Sequence, residues 1–108
     1  MKRTIQILEE ILESHNFELD EQSFDELLKQ LEELTDYNNH TEALLEVAKY
    51  FNLTEYTPQF EKIIDYADRN NGLDFVTVQL RNSMATEMFK KIEEMIGTEY
   101  THKLYSVL

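Results

Sequence analysis

Residues 74–80 read DFVTVQL, and whether they form a strand or open a helix decides the fold. Val76, Thr77 and Val78 are β-branched, which suits a pleated strand. Phe75 and Val78, however, also share a helical register with Ala85, Met88, Phe89, Ile92, Met95 and Ile96. In that register Asp74 is an N-cap and Gly97 the C-terminal stop of one long helix. A strand needs partners to be stable, and no other segment has strand character. The helical reading wins, and the chain is expected to be all-α: a bundle of five or six amphipathic helices in a single domain spanning residues 1–108.

The remaining helices follow from stripes and stops. Ile7, Leu8, Ile11, Leu12 and His15 mark a helix from about Thr4 to His15, with Asn16 as its stop. Phe24, Leu27, Leu28, Leu31 and Leu34 form one stripe of a second. Its start is signalled twice, by Asp20 as N-cap with a Leu19–Phe24 staple and by a Ser23/Glu26 capping box one turn later. After the polar break Asp36-Tyr37-Asn38-Asn39-His40, a third pattern uses Leu44, Val47, Ala48 and Phe51, with Asn39 as N-cap, and stops near Asn52. Thr57-Pro58 opens a fourth, continued by Phe60, Ile63, Ile64 and Ala67 and ended by Arg69-Asn70-Asn71-Gly72. A short last helix from about Thr98 uses Tyr100, Leu104, Val107 and Leu108.

Composition agrees with this reading. The 108 residues include six Phe and six Tyr but only two Gly and one Pro, a balance that favours long helices over many turns. The absence of cysteine excludes disulfides, thiolate metal sites and cysteine nucleophiles. The segment MKRTIQILEEILESHNF meets Glu9 and Glu10 before any apolar run develops, so it has no secretory h-region. No later segment approaches the ~20 apolar residues of a membrane span. A cytoplasmic protein without membrane contact is expected.

Patterns that carry chemistry are missing or incomplete. Gly72 and Gly97 lie too far apart for a phosphate cradle. If Gly72 is taken as the sixth position of a calcium loop, Ala67 and Val78 fall where ligands are required, so a helix-stop turn explains that run. Glu99 and His102 make one Glu-x-x-His half-motif without the second copy that a di-iron site needs. His15 and His40 are isolated. Ser23 has a capping role, and none of Ser14, Ser83 or Ser106 stands in a nucleophile context. Adjacent acids such as Glu93-Glu94 fall on outward helical faces, away from the burial that would tune a catalytic carboxyl. Met84, Met88 and Met95 read as core filling or an interface edge rather than a cofactor box. The expectation is a non-enzyme with no cofactor and no metal.

What stands out is charge. The net charge is −12. Residues 1–46 carry 13 acids and 3 bases, for −10, whereas residues 47–108 carry 9 acids and 7 bases, for −2. Glu18 to Leu34, ELDEQSFDELLKQLEEL, holds seven carboxylates and one lysine. Such a field repels nucleic acid and anionic lipid and attracts basic surfaces. Like charges at i, i+4 cost ~0.2–0.5 kcal/mol per pair, and a helix shaped only for stability interleaves Glu with Lys. A single-signed surface therefore points to a basic protein partner. Glu21, Asp25, Glu26, Glu32, Glu33 and Asp36 are the candidate contacts, with Tyr37 as aromatic anchor.

In size, acidity and helical character the chain resembles the immunity proteins that inhibit nuclease toxins of the colicin and contact-dependent growth-inhibition type. That resemblance implies a tight one-to-one complex with a basic nuclease toxin domain, blocking a site that otherwise holds RNA or DNA. Two alternatives remain open. One is a phage-type inhibitor that mimics nucleic-acid charge to occupy a host effector. The other is a structural module that forms homodimers through an apolar edge of its C-terminal half.

Overall fold

The computed structural model describes residues 19–108. The helix expected over Thr4–His15 lies outside the described residues. Among those described there are five α-helices and no strand: α1 Glu21–Asp36, α2 His40–Tyr50, α3 Thr57–Asn70, α4 Phe75–Ile96 and α5 Thr98–Val107.

The helix starts follow their local chemistry. Asp20 is extended and accepts a hydrogen bond from the Gln22 amide at 3.1 Å, so the earlier of the two start signals is the one used. Leu19 packs against the core beside it. The ambiguous stretch is helical because Asp74 caps it twice: its Oδ1 accepts from both the amide and the hydroxyl of Thr77 at 2.7 Å. β-Branched propensity is worth only tenths of a kcal/mol per residue, less than such a cap. Pro58 lies in the first turn of α3, but Tyr56 occupies the cap position and Thr57 is already helical.

Three helices stop on asparagine. Asn38, Asn52 and Asn71 all have left-handed φ, at 60°, 56° and 56°. Around each, the next amide reaches back into the last helical turn: Asn39 to Leu34 O at 2.8 Å, Leu53 to Ala48 O at 2.8 Å and Gly72 to Ala67 O at 2.9 Å. This pattern is the Schellman motif, and asparagine tolerates its left-handed residue better than other side chains do. A chain of several helices therefore needs few glycines. Gly97 is the exception, since one residue at φ 85°, ψ 170° joins α4 directly to α5, a region that side chains other than glycine's rarely occupy.

The core gathers around α2. Ala43, Leu44, Leu45, Val47 and Ala48 are all buried there, and α2 packs against α1, α3 and α4. The small Ala43 and Ala48 let neighbouring helices approach closely. α5 lies across α1 and α4. Phe24, Leu31, Phe60, Met88, Ile92 and Leu104 are fully buried at the contacts between them. Truncating Phe24 or Leu31 would remove about 2–5 kcal/mol.

The register of α4 departs from expectation at its start. Phe75 is 77% exposed, whereas Met88, Phe89 and Ile92 are buried. α4 has 22 residues, twice the length of α2, and its buried residues all lie in its second half. The first two turns extend past the layer that could cover them, leaving Phe75, Val76 and Leu80 in solvent.

Candidate partner-binding surface

Each expected contact residue projects outward. Glu21, Asp25, Glu26, Glu32, Glu33 and Asp36 are exposed, and so is Tyr37, at 72%. The stripe Phe24–Leu27–Leu31 turns into the core and fixes the phase of the helix. At ~100° per residue, the acids then occupy a broad arc on the far side of α1. Among the described residues the ion pairs are Lys49–Glu46 at 3.6 Å and Lys91–Glu55 at 2.7 Å. Neither involves α1, so its carboxylates present their charge without an internal counterion from the described residues.

The arc has two margins. On one, Tyr100 of α5 donates its hydroxyl to Glu21 Oε1 at 3.0 Å while its ring stands edge-on to Phe24, centroids 5.6 Å apart. That acceptor and its charge push the Tyr100 phenol above its ordinary range. At the other end of α1 the Thr35 hydroxyl donates to Val107 O at 3.1 Å, pinning that end to α5. Glu21 is thus engaged inside the protein, unlike the other candidates. On the other margin the helical phase carries Glu26, Glu33 and Tyr37 towards Gln30 and Leu34, which line a groove shared with α2 and α3.

That groove holds acids that sequence reasoning did not single out. Glu42 and Glu46 of α2 face Glu61 and Asp65 of α3 across a cavity of about 420 Å³, floored by Leu34, Leu45 and Ile64. Within each helix the two acids stand four residues apart, a spacing visible in the sequence. Their convergence is not, because it depends on α2 packing against α3. No group of three or more His, Asp or Glu among the described residues is placed to hold a metal ion. Tyr37 closes α1: its amide bonds Glu33 O at 3.3 Å, and the turn at Asn38 follows at once.

The site therefore has an acidic ridge, an acidic groove with an apolar floor, and an exposed tyrosine at the end of α1. Long basic side chains fit such a groove, laying their methylene stems on Leu and Ile and their charged heads among carboxylates. His102 and Glu99, the half-motif on α5, are both exposed. No described helix is long and apolar enough to cross a membrane. No protein-family model matches this chain, and no curated protein or solved structure is significantly similar to it.

Proposed function

We propose that this chain is an immunity-type inhibitor that binds a basic nuclease toxin domain through α1 and the groove between α2 and α3. The observation that carries the reading is that the exposed α1 carboxylates have no ion-pair partner among the described residues. Complementary charge accelerates encounter, towards ~10⁸–10⁹ M⁻¹s⁻¹ at low salt, and speed matters to a protein that must neutralise a toxin before it acts. Desolvated contacts then hold the complex. Tyr37 provides an aromatic anchor, and the Leu34–Leu45–Ile64 floor receives the stem of an arginine or lysine. The same surface would serve a nucleic-acid mimic, since both roles oppose carboxylates to a groove that ordinarily holds phosphates.

The test is capture from the source organism at low and moderate salt, followed by assay of the retained protein. Retention of a basic nuclease at low salt, together with loss of its activity in the complex, is expected. Retention of neutral or acidic proteins only, or binding indifferent to salt, would remove the reading.

A second reading has its own support. Phe75, Val76 and Leu80 are 77%, 74% and 55% exposed on the first turns of α4, in the half of the chain that carries almost no net charge. A second copy of the chain could cover this apolar patch. A stable dimer in native mass spectrometry that is lost in Phe75→Glu and ignores basic ligands would favour a self-associating module over an inhibitor.

A further inference from the structure

One pocket differs in character from the acidic groove between α2 and α3. Between the start of α2, the middle of α4 and the end of α5 lies a cavity of about 310 Å³, lined on its polar side by His40, Arg81 and Asn82 and on its apolar side by Leu44, Phe89, Tyr105 and the last residue, Leu108. Arg81 is partly buried and has no carboxylate partner among the described residues. Its contacts are long ones to neutral oxygens, Nη1 to Thr41 Oγ1 and Nε and Nη2 to Asn82 Oδ1, all at 3.4 Å. Burial pushes its ionisation below the ordinary arginine range, yet a guanidinium stays charged at neutral pH. Arg81 is thus a half-desolvated cation with no ion pair among the described residues.

The surroundings add to the positive potential there. α2 begins at His40, and the Asn39 side chain makes no capping bond, so the first-turn amides add positive potential that Glu42 in the same turn partly offsets. Opposite, the rings of Phe89 and Tyr105 lie 4.4 Å apart with 34° between their planes and form an aromatic wall. On the other side of Arg81 and His40 is a second cavity, which includes Glu42 and Asp68. Arg81 therefore lies between a hollow that includes Glu42 and Asp68 and a pocket whose lining side chains among the described residues carry no carboxylate.

We infer that the pocket between α2, α4 and α5 is a binding site for a small organic monocarboxylate, its head on the Arg81 guanidinium and its apolar tail on Leu44, Phe89 and Tyr105. A planar guanidinium matches a carboxylate in two parallel hydrogen bonds. One fixed positive charge suits a monoanion better than a phosphate dianion. The volume lies at the small end of the ~300–1,000 Å³ of ligand pockets, enough for a single ring or a short chain. The site is independent of the acidic ridge.

Benzoate, benzamide and inorganic phosphate are the probes, titrated separately into isotopically labelled protein while amide resonances are followed by NMR. Saturable shifts at Arg81, Asn82 and Leu44 with benzoate are expected. Benzamide, the neutral isostere, and phosphate should each bind at least tenfold more weakly. Arg81→Met, which keeps the stem and removes the fork, should weaken benzoate at least tenfold with the thermal midpoint little changed. Equal affinity for benzoate and benzamide, phosphate binding as tight as benzoate, or no saturable shift would overturn the proposal. The comparison of probes needs only the native chain, so it decides the matter even if Arg81→Met fails to fold.

Discussion

Tyr100 reaches across from α5 to donate its hydroxyl to Glu21 at 3.0 Å, so one carboxylate of the acidic helix is held by the body of the protein. The bond and the negative charge both favour the protonated phenol and raise its ionisation above the ordinary tyrosine value of 10.0. Glu21→Gln removes the charge and weakens the acceptor. Tyr100 should then titrate closer to 10, seen as an alkaline shift lost in a tyrosinate absorbance titration of the variant. An unchanged curve would mean that the pairing does not persist in solution.

A second carboxylate is tied at the start of α4. Asp74 accepts from the Tyr66 hydroxyl, the Thr77 hydroxyl and the Thr77 amide, and these bonds lower its pKa from 3.8 to about 2. A depressed carboxyl stabilises the fold above its unfolded pKa and loses that contribution as pH falls towards the folded one. The stability difference between the native chain and Asp74→Ala should be constant at neutral pH and shrink as pH falls from about 4 to about 2. Taking the difference cancels the general relief of acidic repulsion on protonation. Denaturant midpoints at a series of pH values give the comparison, and a gap that widens on acidification would contradict the assigned bonds.

The asparagine stops make a backbone prediction. Asn52 sits at φ 56° between α2 and the buried Leu53. Asn52→Ala should lose about 1 kcal/mol, since a left-handed residue with a Cβ is strained, and Asn52→Gly should equal or exceed the native stability. If alanine matched glycine in chemical denaturation, the left-handed turn would be absent in solution.

Tyr56 buries its ring, 5% exposed, beneath Lys91, whose Nζ lies 5.1 Å from the ring centroid. Its hydroxyl is buried and makes no hydrogen bond of good geometry, and the polar group it interacts with is the Lys91 ammonium. An unsatisfied buried hydroxyl costs about 1–3 kcal/mol. Tyr56→Phe should therefore be neutral or stabilising, with a thermal midpoint equal to or above that of the native chain. A clear fall would show that the interaction of the hydroxyl with Lys91 stabilises the fold.

Most of the fold could be read from spacing. Phe24 to Leu34 repeats once per turn, Asp20 and Asp74 are single residues with one local job, and Asn52 and Asn71 stand where the stripes end. These are short-range facts. Phe75 shows where that logic stops: it lies in register with Met88 and Ile92, yet burial depends on whether another helix extends far enough to cover it. The same limit applies to the binding surface. That the α1 acids point outward followed from the stripe, whereas the facing of Glu42 and Glu46 by Glu61 and Asp65 depends on which helices pack together. Arg81 gave no sequence signal, because an isolated arginine in a helix reads as solvated until its neighbours are known.

The decisive measurement is the association rate of the native chain and of Glu32→Lys/Glu33→Lys with the captured basic partner, followed by stopped flow across a range of salt. Both residues are exposed, so the double variant should keep its thermal midpoint. Association with the variant should be at least tenfold slower at low salt, with a shallower salt dependence. An association rate and salt slope equal to those of the native chain would show that the acidic ridge is not where the partner binds.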